Sequence, residues 1–293
     1  MKKFVAVAAA VAAAFLAAGS GSAARAFAMP FYGLEPQPIV LRAEFSTSYA
    51  SSSAERKHNI ELAAKALHHA LIPPEEEFSF NARVGARTEA RGYQKAKIIV
   101  GGQFVAGVGG GVCQVSTTLY NAALLAGMRV TESHPHSLQV SYVKPGADAM
   151  VNYYFADLRF VNDTKNPVYL ETSANGSSLT VRFYGEPMRE KYVFESDIVD
   201  RTEPKEVVEK DTAGEYPDLK KGERKIVRAG KAGLTCESRL LRYSESGKFL
   251  GKSKLRRDKY QPIDTIIVEG TAEWEIVPPE TDAEEAPAEG GAA

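Results

Sequence analysis

Three consecutive glycines, Gly109, Gly110 and Gly111, run straight into Val112, Cys113 and a segment with helical spacing. This run constrains the fold more than any other part of the chain. Without a Cβ, the backbone takes conformations closed to other residues and lets a second chain or a substrate come close. The helix start that follows offers unpaired N–H groups and a partial positive charge, and both favour a thiolate over a thiol. Cys113 is one of two cysteines in the sequence. Its setting predicts a thiol that is nucleophilic near neutral pH.

The N-terminus predicts where such a thiol works. Lys2 and Lys3 precede an alanine-rich apolar stretch, residues 4–18, and Ala26-Phe27-Ala28 supplies the small residues of a cleavage site. Residues 1–28 therefore read as a secretory signal peptide, with the mature chain starting near Met29. The apolar run is shorter than the ~20 residues of a membrane span. An exported, extracytoplasmic protein is expected, in the cell wall or secreted. The formal net charge of −1 provides no global field for nucleic acid, so no such partner is expected. An export compartment permits a Cys113–Cys236 disulfide. A domain of this size does not require one, so bonded and free cysteines both remain open.

Residues 38–185 read as an α+β domain. Ile60, Ala63, Ala64 and Leu67 mark one face of a helix over residues 54–71, with Ser53 as N-cap and Pro73-Pro74 as its stop. A second helix covers 113–126 and ends at Gly127. Residues 137–143 and 149–155 alternate with period two around a turn at 144–148, which predicts a hairpin. Strands are expected at 158–161, 168–172 and 179–184. Residues 195–276 read as a small all-β module, and 277–293, rich in Pro, Glu and Ala, as a disordered acidic tail.

A nucleophilic cysteine needs a base and a group to orient that base. His136 opens the expected hairpin. With the turn centred near Pro145-Gly146, residue 136 faces roughly residue 155, so Asp157 comes within reach. Asp148 then sits in the turn, about 20 Å away at ~3.3 Å per residue. This predicts Cys113 as nucleophile, His136 as base and Asp157 as orienter. Gln114, Gly111 and the Cys113 N–H are the oxyanion or substrate contacts, and His134, Asp148 and Ser116 are secondary candidates. Each position also has a structural reading: a small buried cysteine, a strand-end histidine, a turn-forming aspartate. His68 and His69 are adjacent and point in different directions, so no metal pair is expected, and the chemistry calls for no cofactor. The order of cysteine, histidine and aspartate resembles the papain-like and transglutaminase-like cysteine enzymes, which implies an α+β fold of that kind.

A more specific resemblance rests on the run from Gly109 through Cys113-Gln114-Val115-Ser116-Thr117-Thr118-Leu119-Tyr120-Asn121. With it go Phe78-Ser79-Phe80-Asn81, Val84-Gly85-Ala86-Arg87-Thr88, Gly92-Tyr93, Pro135-His136-Ser137, Asp148-Ala149 and Asp157-Leu158-Arg159-Phe160. Over residues 45–171 these resemble the VanW family, a family linked to the bacterial envelope and to vancomycin resistance. Ser133 stands where an Arg is often found. The resemblance implies an L,D-transpeptidase acting on peptidoglycan stem peptides, with the motif cysteine as nucleophile. The Ser-His-Gly-Cys run of established L,D-transpeptidases is absent, so the chemistry is shared without that fold. Gly222, Gly230, Gly233, Gly270 and Tyr260-Gln261-Pro262-Ile263 resemble an extracellular five-glycine (G-five) domain, which implies adhesion to wall glycan. A non-catalytic wall-binding protein with a structural cysteine is the alternative.

Overall fold

The computed structural model describes residues 38–273. The expected signal peptide, 1–28, and acidic tail, 277–293, lie outside them. Residues 38–273 lie within one compact unit.

The first sheet is built from residues at both ends of the region 38–185. Strand β1 (Val40–Ser48) leads to helix α1 (Ala54–Leu67), whose first turn is capped by the Ser53 hydroxyl accepting from the Arg56 N–H. The helix ends short of the expected residue 71, because His69 takes a left-handed conformation (φ 58°). That turn releases β2 (Leu71–Ile72) to pair with a later strand. Next come β3 (Glu77–Ser79), the short α2 (Phe80–Val84) and a hairpin of β4 (Lys95–Val100) and β5 (Gln103–Val108). Helix α3 (Val112–Leu125) follows, then β6 (Arg129–Glu132), β7 (Arg159–Val161), β8 (Val168–Ala174) and β9 (Ser178–Gly185). Gly127, at φ 77°, closes α3 with Met128 N–H reaching back to Ala123 O.

The antiparallel order is β1-β9-β8-β2, with a smaller sheet β3-β7-β6. Along β9, Leu179, Val181 and Phe183 alternate inward as a half-buried strand requires. Helix α3 lies inside the core, with Val115, Leu119, Ala122 and Ala123 fully buried. Its polar residues are buried as well and bonded locally. Thr118 donates to Gln114 O and also shares a hydrogen bond with Thr47. A helix enclosed on all sides keeps its polar groups only when each finds a partner.

The chain continues through β10 (Glu190–Thr202), β11 (Glu206–Lys210), β12 (Arg224–Arg228), β13 (Gly233–Ser244), β14 (Phe249–Tyr260) and β15 (Thr265–Glu269). These form two three-stranded sheets, β10-β13-β14 and β11-β15-β12. Leu240 of β13 is buried in the same core as α3, and Tyr192, Phe194 and Leu255 pack on it.

Two expectations are overturned. The described chain is 47% strand or bridge and 15% helix, in several small sheets, so it is a mostly-β protein and not an α+β domain of papain or transglutaminase type. The order of reactive residues along a chain does not fix its layers. Nor is there a hairpin over 137–155. Residues 135–149 form no strand, and a single bridge joins His134 to Met150. A second bridge, Asn152 to Ala156, makes a separate tight turn.

Candidate active site

Cys113 is the second residue of α3, and the glycines before it are required by packing. A Cβ on Gly110 would lie 2.7 Å from the backbone carbon of Ala96, and Gly111 adopts φ 109° as the N-cap. The glycine loop is thereby pressed between β4 and α1, and the half-buried Cys113 sits in the first helical turn. There its N–H has no intrahelical partner and the helix dipole favours a thiolate.

The Cys113 thiol donates to Val151 O at 3.5 Å, and His136 is buried close enough to act electrostatically on it. The imidazole Nδ1 lies 2.7 Å from Asp148 Oδ2, and the same oxygen accepts the His136 backbone N–H at 2.7 Å. Asp148 is 1% exposed, so this is an enclosed carboxylate–imidazole–thiol array. Burial opposes charge on the thiol, but the adjacent His136 imidazole, with the Val151 backbone and Arg87, brings Cys113 below its ordinary pKa. Burial also opposes the imidazolium, yet Asp148 and Cys113 push His136 up to about 9. For Asp148, burial is outweighed by His136 and Tyr260, and the carboxyl is held below its usual value. All three directions describe a thiolate–imidazolium pair braced by a carboxylate.

The carboxylate that the structure sets against His136 is Asp148, a secondary candidate in the sequence, and not Asp157. The bridge between His134 and Met150 fixes a register that, extended inward, sets His136 against Asp148. The centre of the loop is near Tyr142 and not at Pro145-Gly146. Asp157 instead accepts from the Ser79 hydroxyl at 2.5 Å and the Asn81 N–H at 2.8 Å, and pairs with Arg159 at 3.1 Å. It anchors the start of α2. Asn81 in turn donates to Asn152 O and Ala156 O, bracing the turn that exposes Tyr153, Tyr154 and Phe155.

Gln114 does not face a substrate carbonyl. Its amide donates to Thr47 Oγ1 and Ser48 O and accepts from Arg56, so every contact is internal. Ser116 donates to Ala149 O at 2.6 Å and to Cys113 O. It ties α3 to the segment before Met150. His134 pairs with Glu132 at 2.9 Å, away from the array. Cys113 and Cys236 are both unpaired, and Cys236 is buried with its thiol raised by desolvation. Among the described residues no cluster of metal-ligating side chains occurs.

Sequence reasoning missed the outer shell. The Tyr260 hydroxyl donates to Asp148 Oδ1 and accepts the Gly146 N–H at 2.8 Å. Arg256 Nη2 donates to Asp148 O at 2.6 Å, its Nη1 to Ser133 Oγ at 2.9 Å, and Asp258 pairs with it at 3.0 Å. Tyr260 lies in the Tyr-Gln-Pro-Ile run that carried the G-five resemblance, which was its only sequence signal. Arg56 and Arg87 were also missed, although both act electrostatically on Cys113. Arg87 lies within the Val84 to Thr88 block already singled out.

Comparison with known proteins places most of this array in one matched region. Residues 55–184 match the family described as VanW like protein. The uncharacterized protein YoaR of Bacillus subtilis is 43% identical over 141 residues, 48% of this chain and 46% of its own length. The vancomycin B-type resistance protein VanW of Enterococcus faecalis is 30% identical over 112 residues, 36% of this chain and 40% of its own length. The chain thus matches less than half the length of either relative. Among solved structures, the IgA1 protease G5 domain is 15% identical with a TM-score of 0.19, covering 29% of this chain and 96% of that domain. The HP0197 G5 domain is 20% identical with a TM-score of 0.16, covering 27% and 99%.

Proposed function

We infer that this chain, whose residues 55–184 belong to the VanW-like family, is an exported cysteine acyltransferase of the cell envelope acting on peptidoglycan stem peptides. The observation that carries the reading is the buried array of Cys113, His136 and Asp148 at the start of α3. The envelope setting is supported by the family resemblance, and export by the pattern of residues 1–28. The strands after β9 are assigned a wall-glycan contact on their sequence resemblance to a G-five domain.

The resting thiolate of Cys113 attacks the carbonyl carbon of a peptide bond. His136, as imidazolium, gives its proton to the departing amine nitrogen, leaving a thioester on Sγ and a neutral imidazole. Asp148 holds the ring through Nδ1, so Nε2 faces the reaction. The Cys113 N–H, in the first turn of α3, is the donor at hand for the developing oxyanion. An amine of a neighbouring stem then attacks the thioester and passes its proton to His136, and the thiolate leaves. With water as the second nucleophile, the same steps give hydrolysis.

The test is incubation of the mature chain with muropeptides, followed by mass spectrometry of the Cys113 peptide and of the products. A thioester adduct and 3-3 cross-links are expected, and neither from Cys113→Ala. A Cys113 thiol that resists iodoacetamide at neutral pH defeats the enzyme reading and leaves a wall-binding protein with a structural cysteine.

A further inference from the structure

A cleft of about 340 Å³ opens beside the nucleophile, with Ser51, Ser52, Arg56, Lys97, Gln114 and Tyr142 in its wall. The Arg56 guanidinium packs against Gly111, where a Cβ would lie 3.0 Å from Nη1, and Gly111 is the N-cap of α3. The cleft therefore reaches the first turn of the helix that carries the thiol. Its lining is hydroxyl-rich and cationic, and no carboxylate contributes to it.

Arg56 gives the cleft its chemistry. The guanidinium is half-buried, with Nε on the Ser52 hydroxyl at 3.2 Å and Nη2 on Gln114 Oε1 at 2.7 Å. These neutral contacts orient the fork without neutralising it. No aspartate or glutamate among the described residues pairs with it, and burial holds its pKa down. The buried Arg256 pairs with Asp258. Arg42 and Arg87 have no carboxylate partner among the described residues either, but their guanidinium groups are bonded to backbone carbonyls of the fold, Ala126 and Glu186 for Arg42 and Gly85 for Arg87. Arg56 instead contacts the side chains of Ser52 and Gln114 in the cleft wall. A desolvated guanidinium without an anion is costly, and a bidentate carboxylate is its best geometric complement.

We propose that this cleft is an anion subsite in which Arg56, assisted by the serine hydroxyls and Lys97, binds a free carboxylate of the acyl donor next to the bond that Cys113 attacks. The substrate class is then a peptide with a carboxylate close to its scissile carbonyl. A neutral or cationic peptide of the same length is a poor donor. The proposal rests on the nucleophile reading above, and its test separates the two.

The test compares two alkylating reagents that differ in charge, iodoacetate and iodoacetamide, on the mature full-length chain. The iodoacetamide rate reads thiolate reactivity. The ratio of iodoacetate to iodoacetamide rates, set against a cysteine-containing reference peptide, reads anion preference independently of the thiolate fraction. A ratio about tenfold above the reference is expected, the scale of one charge-assisted hydrogen-bonded contact. Arg56→Gln returns it to the reference value, and Arg56→Lys, which keeps the charge and serves if the first variant misfolds, retains part of it. Fast iodoacetamide labelling with a reference-like ratio overturns the subsite while leaving the nucleophile intact. An equal loss of preference in Arg87→Gln also overturns it, because the preference then belongs to the general field around Cys113. A thiol unreactive to both reagents overturns the subsite and the nucleophile together.

Discussion

The Tyr260 hydroxyl donates to Oδ1 of Asp148, joining the end of β14 to the carboxylate that holds His136, across 112 residues of sequence. The phenol also accepts the Gly146 N–H, so one buried group fixes both the aspartate and the loop leading to it. Tyr260→Phe leaves packing volume nearly unchanged and strips both bonds. A loss of about 1–3 kcal/mol in unfolding free energy is expected from urea denaturation, because one partner is charged. A change within error would mean that solvent replaces the hydroxyl and that the bond carries no stability.

Asp148 and Asp157 separate by experiment. Asp148→Asn is expected to slow thioester formation about a hundredfold or more, because the imidazole loses both its orientation and its raised basicity. Asp157→Asn is expected to cost about 1–3 kcal/mol of stability with a much smaller effect on rate, as befits an anchor for Ser79 and Asn81. The reverse pattern in single-turnover acylation would restore Asp157 as orienter.

That contrast shows what was legible in the sequence. The helix of Cys113, the glycine run leading into it, the Ser53 cap and His136 as the imidazole near the thiol followed from local spacing and residue type. The orienting carboxylate did not, because it depends on register. The pattern over 137–155 alternates like a hairpin, but among the described residues its two halves are joined by a single bridge, His134 to Met150. Tertiary contacts override the alternation: Leu138 is drawn into the interior, and Gln139 reaches the backbone of Ala232. Arg256 and Tyr260 were illegible for a different reason. They lie far along the chain in strands whose own pattern says only that they are strands.

The alkylation rate of Cys113 gives the pH signature. Its thiol is held below the ordinary value of about 8.5, so the iodoacetamide rate should reach half its plateau at a lower pH than for a free cysteine. In His136→Ala burial acts without its counterweight, and the half-point should move above the ordinary value. Coincident profiles for the two proteins would show that no ion pair exists.

The His136–Asp148 pair should also appear in the pH dependence of stability, measured in a Cys113→Ala background so that the thiol does not contribute. Because Asp148 raises the folded pKa of His136, the contribution is complete below about 6.5 and is lost as pH rises through the folded value. That value lies below the figure of about 9 for the complete array, since Cys113 no longer adds to it. Adding Asp148→Asn should flatten that limb. Equal slopes in the presence and absence of Asp148 would contradict the assignment.

Gly110 offers a steric test of the loop that presents the thiol. A methyl group there meets the Ala96 backbone at 2.7 Å and cannot be accommodated by a side-chain rotation. Gly110→Ala should cost about 1–3 kcal/mol, the range for overpacking, and lower the melting temperature. Unchanged melting with unchanged Cys113 reactivity would show that the β4 hairpin yields.

The bond from Tyr260 to Asp148 also sets a schedule. A chain made from its N-terminus has Cys113, His136 and Asp148 in hand long before it has residue 260. Until β14 emerges, the carboxylate lacks its tyrosine and the Gly146 loop lacks its clasp. The brace on the carboxylate beside His136 is therefore completed last, when nearly the whole chain is in place, and a polypeptide truncated before residue 260 carries Cys113, His136 and Asp148 without it.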